Sequence, residues 1–292
     1  MKISGKSLLT AIAIIIITVA TGCTTPQRMR SENISTVTSA DGSPITYGVR
    51  GKGDTTLVFV HCWTCNHEFW RPQIEYFSSK YQVVWLDLAG HGLSGSHRTQ
   101  YTMASFGQDV ASVVNKIKAD NVVLVGHSMG GPVVIEAAKI LGNKIIGVVG
   151  VDTFYTPFQY PDSEAKIKNF VKPFEDDFKT ASEQLVRSMF TPTADQDLVT
   201  SIVNQMSTAN PNMGVSAMYE IFRWNAKKGH DTLNAYSDIL RNINATPSGD
   251  EKALDKSVSL IPGVGHFVAQ AKPDEFNKVL SDILVEYESL HK

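Results

Sequence analysis

The sequence predicts an α/β protein: a mostly parallel sheet with helices on both faces and a helical cap inserted late in the chain. Three observations predict it. Between residues 55 and 152, four short apolar runs alternate with helix-patterned stretches, the signature of a sheet covered on both faces. A hairpin signal precedes them, with Asp41-Gly42 between two alternating runs. From Thr153 to Tyr236 the strand rhythm stops, and the chain reads as helices rich in large apolar residues.

The elements follow in order. ISTVTS (34–39) and ITYGVRG (45–51) are the hairpin strands, and TTLVFVH (55–61) is the first continuous apolar strand. A helical pattern from Phe69 to Phe77 leads to the strand QVVWLDL (82–88) and the loop AGHGLSGSH (89–97). A helix is expected from about Thr102 to Lys118. NVVLVGHS (121–128) is then a buried strand that runs into the helix MGGPVVIEAAKIL (129–141). KIIGVVGVD (144–152) closes the series. After the insertion come a weak strand near Ile239–Ala245, a clearer one at SVSLIPG (257–263), and a helix opened by Pro273. The core is therefore 35–152 with 237–292, and the cap is 153–236.

The N-terminus reads differently. Lys2 and Lys6 precede an apolar run from Leu8 to Ala20, which ends in Thr21-Gly22-Cys23. That run is short for a membrane span and fits a secretory signal over 1–22. A cysteine directly after a small residue resembles the bacterial lipobox. The resemblance implies lipidation at Cys23, a tether over 23–34, and an exported bacterial lipoprotein, with a periplasmic or extracellular protein as the variant. The membrane would be engaged only through that anchor. With 27 basic against 29 acidic residues and no basic run, no nucleic-acid partner is expected.

The chemistry is carried by Gly126-His127-Ser128-Met129-Gly130, a G-x-S-x-G motif. It follows a buried strand and opens a helix, the setting a nucleophile elbow requires. Glycines are needed there because a serine on so sharp a turn is strained, and flanking side chains would collide with strand and helix.

With that motif the sequence resembles the α/β-hydrolase superfamily over nearly the whole chain after the signal. VFVHCW matches the strand end that precedes the family's oxyanion loop, with Cys62 where glycine is usual. Asp87-Leu88-Ala89-Gly90-His91-Gly92-Leu93-Ser94 matches its D-x-x-G-x-G-x-S turn. Gly263-Val264-Gly265-His266-Phe267 matches the loop of its catalytic histidine. The resemblance implies Ser128 as nucleophile, His266 as base, and the backbone N–H groups of Trp63 and Met129 as the oxyanion hole. It also places His61, His127 and Phe154 around a substrate pocket, with His91 on the same sheet edge. The acid is open: Asp152 ends the sixth strand, while Asp250 lies nearer the usual position after the seventh. Asp152 is favoured, because some branches of the superfamily carry the acid there.

HCWTCNH (61–67) holds two cysteines and two histidines in seven positions. A structural zinc site usually takes its ligands from two separated pairs, and no second pair exists, so no metal is expected. A thioredoxin-like layout is also missing around the C-x-x-C. A Cys62–Cys65 disulfide stays open, and a side chain at position 62 would crowd the hole.

A serine nucleophile favours acyl transfer, so the expected activity is hydrolysis of an ester-type bond in a small uncharged substrate, without a cofactor. C–C hydrolysis, cofactor-free peroxidation on the same elbow, and a catalytically silent binding protein are the alternatives.

Overall fold

The computed structural model describes residues 33–291, the side chains of 33 and 228–231 excepted. The candidate signal, Cys23 and the tether up to residue 32 lie outside the described residues. The hairpin forms as expected from β1 (Asn33–Thr38) and β2 (Pro44–Arg50), with the Ser43 N–H donating to Asp41 Oδ1 in its turn. The alternating run of strands and helices gives β3 (Thr56–Val60), α1 (Arg71–Phe77), β4 (Gln82–Leu86), α2 (Met103–Ile117), β5 (Val122–His127), α3 (Gly130–Leu141) and β6 (Ile145–Val151). Four helices follow: α4 (Glu164–Asp176), α5 (Phe178–Ser188), α6 (Gln196–Ser207) and α7 (Pro211–Asn234). The chain then returns through β7 (Leu240–Thr246), β8 (Val258–Pro262), α8 (Val268–Ala271) and α9 (Pro273–Leu290).

The eight strands form one sheet in the order β1-β2-β4-β3-β5-β6-β7-β8. β2 is antiparallel to both of its neighbours, and every pair from β4 to β8 is parallel. Because successive side chains in a strand point to opposite faces, each apolar strand serves two cores. Val58 and Val60 pack with the residues of α2, α3 and the inserted helices. Leu57 and Phe59 pack on the other face with Trp70, Phe77 and the α9 residues Phe276 and Tyr287. All four strand residues are fully buried, which is worth about 1.5–3 kcal/mol for each large apolar side chain.

Local sequence explains the boundaries. Thr102 caps α2 by accepting the Ser105 N–H, and Lys118 ends it in the left-handed region at φ 54°. The insertion differs from the expected continuous helical stretch at its start. Residues 153–163 are not helical, since Tyr155 sits at φ 54° and Pro157 and Pro161 interrupt the backbone before Ser163 caps α4. Among the described residues, no helix is long and apolar enough to cross a membrane.

Candidate active site

The strand registers place the singled-out residues along one sheet edge. Val60 lies beside Gly126, His127 beside Val151, and Val151 beside Ile243. Ser128 and Asp152 each come one residue after a member of the His127–Val151 pair, at the carboxyl ends of β5 and β6. Open parallel sheets bind ligands at that edge.

Ser128 has φ 54°, the left-handed conformation a non-glycine residue adopts only under constraint. The constraint comes from three hydrogen bonds. Its N–H donates to Val151 O at 3.0 Å, and its carbonyl accepts from Gly131 N–H at 2.9 Å and Thr153 Oγ1 at 2.8 Å. The motif's glycines are a packing requirement. A Cβ on Gly126 would come 2.2 Å from Gly130 O, and one on Gly130 would come 2.6 Å from Val60 O.

Asp152 is also left-handed, at φ 44°. Its Oδ1 accepts the Ala245 N–H at 2.9 Å, and its Oδ2 accepts from His266 Nδ1 at 2.6 Å. Burial alone would raise its pKa; the imidazole of His266 and the Ala245 N–H outweigh that and hold it below the ordinary carboxylate value. The turn after Asp152 is held from β7, where Asn244 Nδ2 donates to Phe154 O at 2.8 Å. Asp250 is exposed and accepts from Ser248 Oγ at 2.5 Å. Of the two candidate acids, the structure brings only Asp152 to His266.

His266 sits in the loop between β8 and α8. Its N–H donates to Met189 O, at the end of α5, at 2.9 Å. Its carbonyl accepts from His127 Nε2, also at 2.9 Å. Burial first, and the neighbouring His266 ring second, push the His127 pKa down to about 3, so that imidazole is neutral with its proton on Nε2. Gly265 lets the loop approach the inserted helices: a Cβ there would lie 2.1 Å from Met189 O.

The stretch 61–67 resolves into three separate functions. Cys62 and Cys65 form a disulfide across a turn whose Cys65 N–H donates to Cys62 O at 3.2 Å. The Cys62 side chain is thus buried and tied to Cys65. His61 is fully buried: the Leu88 N–H donates to its Nε2 at 3.1 Å, which leaves the proton on Nδ1 to donate to Cys62 O at 2.9 Å. His67 donates its N–H and offers Nδ1 to Asp87 Oδ1, at 2.8 and 2.9 Å, and its ring stacks on Trp85 at 3.9 Å. Asp87 also accepts the Leu93 N–H, and so ties the loop 61–67 to the D-x-x-G-x-G-x-S turn.

Trp63 and Met129 each lie three residues past the Val60–Gly126 register pair. Neither main-chain N–H donates to a carbonyl among the described residues. The Trp63 indole reaches into the inserted helices, donating from Nε1 to Gly214 O at 2.8 Å, with Phe174 and Phe178 each 5.8 Å from its ring. Of the residues expected around a pocket, His61 and His127 are buried behind the loops they support, and Phe154 is buried near Trp224. His91 is buried too, with its ring 4.8 Å from His61. The carbonyls of Met189 and Gly214 have no counterpart in the sequence reading, because a main-chain contact leaves no side-chain signal.

This architecture is one that comparison recognises. A family model described as alpha/beta hydrolase fold matches residues 55–215, and the chain belongs to that family. A 2-(acetamidomethylene)succinate hydrolase from Mesorhizobium japonicum is 24% identical over 261 residues, covering 82% of this chain and 92% of that one. Among solved structures, a thermophilic esterase from Thermogutta terrifontis superposes with a TM-score of 0.72 at 18% identity, over 87% of this chain and 98% of its own. A bromoperoxidase from Bacillus anthracis gives 0.71 at 20% identity, over 87% and 99%. The fold shared with these structures is that of hydrolases of several chemistries.

Proposed function

We propose that the chain is a serine hydrolase that cleaves an ester-type bond of a small uncharged substrate through an acyl-enzyme. The observation that carries this reading is the 2.6 Å pairing of His266 with Asp152 at the strand edge where Ser128 is held in its strained turn.

The steps follow from the atoms. The carboxylate of Asp152 accepts the Nδ1 proton of His266, which leaves Nε2 with the lone pair that serves as base. Nε2 removes the Ser128 hydroxyl proton as Oγ attacks the carbonyl carbon, and then delivers it to the departing alcohol oxygen. The negative charge that builds on the carbonyl oxygen is met by the N–H groups of Trp63 and Met129. One such donor is worth about 3–4 kcal/mol in this kind of reaction. Water then repeats the attack on the acyl-enzyme, with His266 again as base.

The inserted helices bring buried apolar side chains such as Phe174, Phe178 and Met213 to this end of the core, which supports a substrate without formal charge. C–C bond hydrolysis and cofactor-free peroxidation are run on the same constellation, and the likeness to a bromoperoxidase structure keeps the second as the competing reading. We further propose export and anchoring at Cys23. The N-terminal pattern supports this, as does the Cys62–Cys65 disulfide, a bond that persists in oxidising compartments.

The test is hydrolysis of short p-nitrophenyl esters together with fluorophosphonate labelling, with Ser128→Ala as control. Turnover and labelling that vanish together in the variant are the expected result. Labelled protein that turns over no ester but oxidises a peroxidase substrate would favour the second chemistry.

A further inference from the structure

We propose that the Cys62–Cys65 disulfide is a positioning device for the oxyanion hole: it clamps the Cys62–Trp63 peptide plane and thereby aims the Trp63 N–H. The proposal rests on the acyl-enzyme reading above.

The argument begins with peptide geometry. No described peptide bond is cis, and in a trans peptide the C=O and N–H point in opposite directions. Whatever holds the Cys62 carbonyl therefore fixes the direction of the Trp63 N–H. Two donors hold that carbonyl from one side, the Cys65 N–H at 3.2 Å and His61 Nδ1 at 2.9 Å. The disulfide closes the same four-residue turn, with the Cα atoms of Cys62 and Cys65 5.2 Å apart.

The turn needs a closure because of Thr64. This β-branched residue sits at φ 55°, a conformation that side chains of its kind avoid. Its relaxation to an ordinary conformation would open the turn, break the Cys65-to-Cys62 bond and rotate the peptide that carries the Trp63 N–H. A covalent link between the flanking residues blocks that relaxation. The sulfurs belong to side chains only 1% and 2% exposed, so the link is built into the loop.

Its small size separates this function from general stabilisation. Chain-entropy stabilisation grows with the length of the loop a disulfide closes, and a separation of three residues is near the minimum. The staple's effect should therefore be seen in catalysis far more than in the melting temperature.

The experiment uses the oxidised full chain. A dithiol reductant breaks the S–S bond by supplying two electrons and two protons, leaving two thiols and becoming a cyclic disulfide itself. Thiol titration verifies that two new thiols per chain have appeared. The expected result is a fall in kcat of roughly tenfold or more, below the 10²–10³ of a donor lost outright. KM should change less than about twofold, the melting temperature should move by only a few degrees, and kcat should recover on reoxidation. The double variant Cys62→Gly with Cys65→Ser should show the same lowered kcat and no response to the reductant.

Reduced protein that carries the new thiols at unchanged kcat overturns the clamp. So does a loss of kcat that only follows a collapse of the melting temperature. If oxidised Ser128→Ala hydrolyses esters as fast as the parent, the acyl-enzyme reading has failed first and takes the clamp with it. That result is read before any reductant is added, so the two failures are distinct.

Discussion

Asp152 Oδ2 and His266 Nδ1 stand 2.6 Å apart, joining the residue that ends β6 to the loop that follows β8. The strand between them, β7, contributes the Ala245 N–H to the other carboxylate oxygen. Asp152 therefore meets the imidazole with one oxygen and the sheet with the other. Replacing it with asparagine keeps the shape but puts an N–H donor or an uncharged carbonyl against Nδ1. Asp152→Asn should lower kcat by about 10³–10⁴-fold. Asp250→Asn should change kcat less than about twofold, and steady-state kinetics on both variants decides between the two acids.

Acid sensitivity should come from buried histidines before it comes from carboxylates. Burial, and after it a neighbouring imidazole, pushes both His91 and His127 down to about 3. The native state keeps them neutral, while the unfolded chain protonates them near pH 6.5. Their contribution is thus intact above 6.5 and shrinks as pH falls toward 3. Each group should remove about 2 kcal/mol of stability by pH 5. Denaturant unfolding from pH 7 to 5 should show this slope, and His91→Gln should flatten it by one group's share.

Gly265→Ala should damage the site through its backbone. The new Cβ would press on Met189 O at 2.1 Å and Phe190 Cα at 3.0 Å, neither of which is the end of a flexible side chain. We expect a loss of about 1–3 kcal/mol of stability from overpacking. Because the adjacent N–H is the one His266 gives to Met189 O, kcat should fall beyond what the stability loss explains. Comparing kcat at a temperature where both proteins are fully folded separates the two effects.

If Cys23 carries a lipid, the full chain should partition into the detergent phase on Triton X-114 separation and sediment with membranes. Cys23→Ser should shift it to the aqueous phase while leaving the kinetic constants of the folded domain alone. Partition unchanged by the substitution would remove the anchor.

Much of the fold was legible because fully buried parallel strands are continuous apolar runs. β3, β5 and β6 contain almost nothing else. β7 read as weak for a specific reason: it carries Asn242 and Asn244 into the interior, where their amides bond Ser257 Oγ and Phe154 O. Those polar residues blur the hydrophobic pattern of a buried strand. Ser128 and His266 were legible as candidates from their motifs, in which Gly126, Gly130 and Gly265 press against backbone in the folded chain while Gly263 supplies a left-handed turn. The choice between Asp152 and Asp250 was legible only as a preference for Asp152 drawn from the resemblance, since both follow a strand and only the path of the later loop decides which reaches the imidazole. The C-x-x-C spacing was compatible with a metal, a redox pair or a staple. Its pairing depends on the turn that Thr64 completes, which spacing does not encode.

The inserted helices hold the two halves of the site through main-chain oxygens: Met189 O on the His266 loop and Gly214 O on the Trp63 indole. A carbonyl is offered by any amino acid, so this support is indifferent to most substitutions in the segment that provides it. Side chains of that segment can then be exchanged while the Trp63 and His266 loops stay in place. A lineage could in this way change what it digests without rebuilding how it digests.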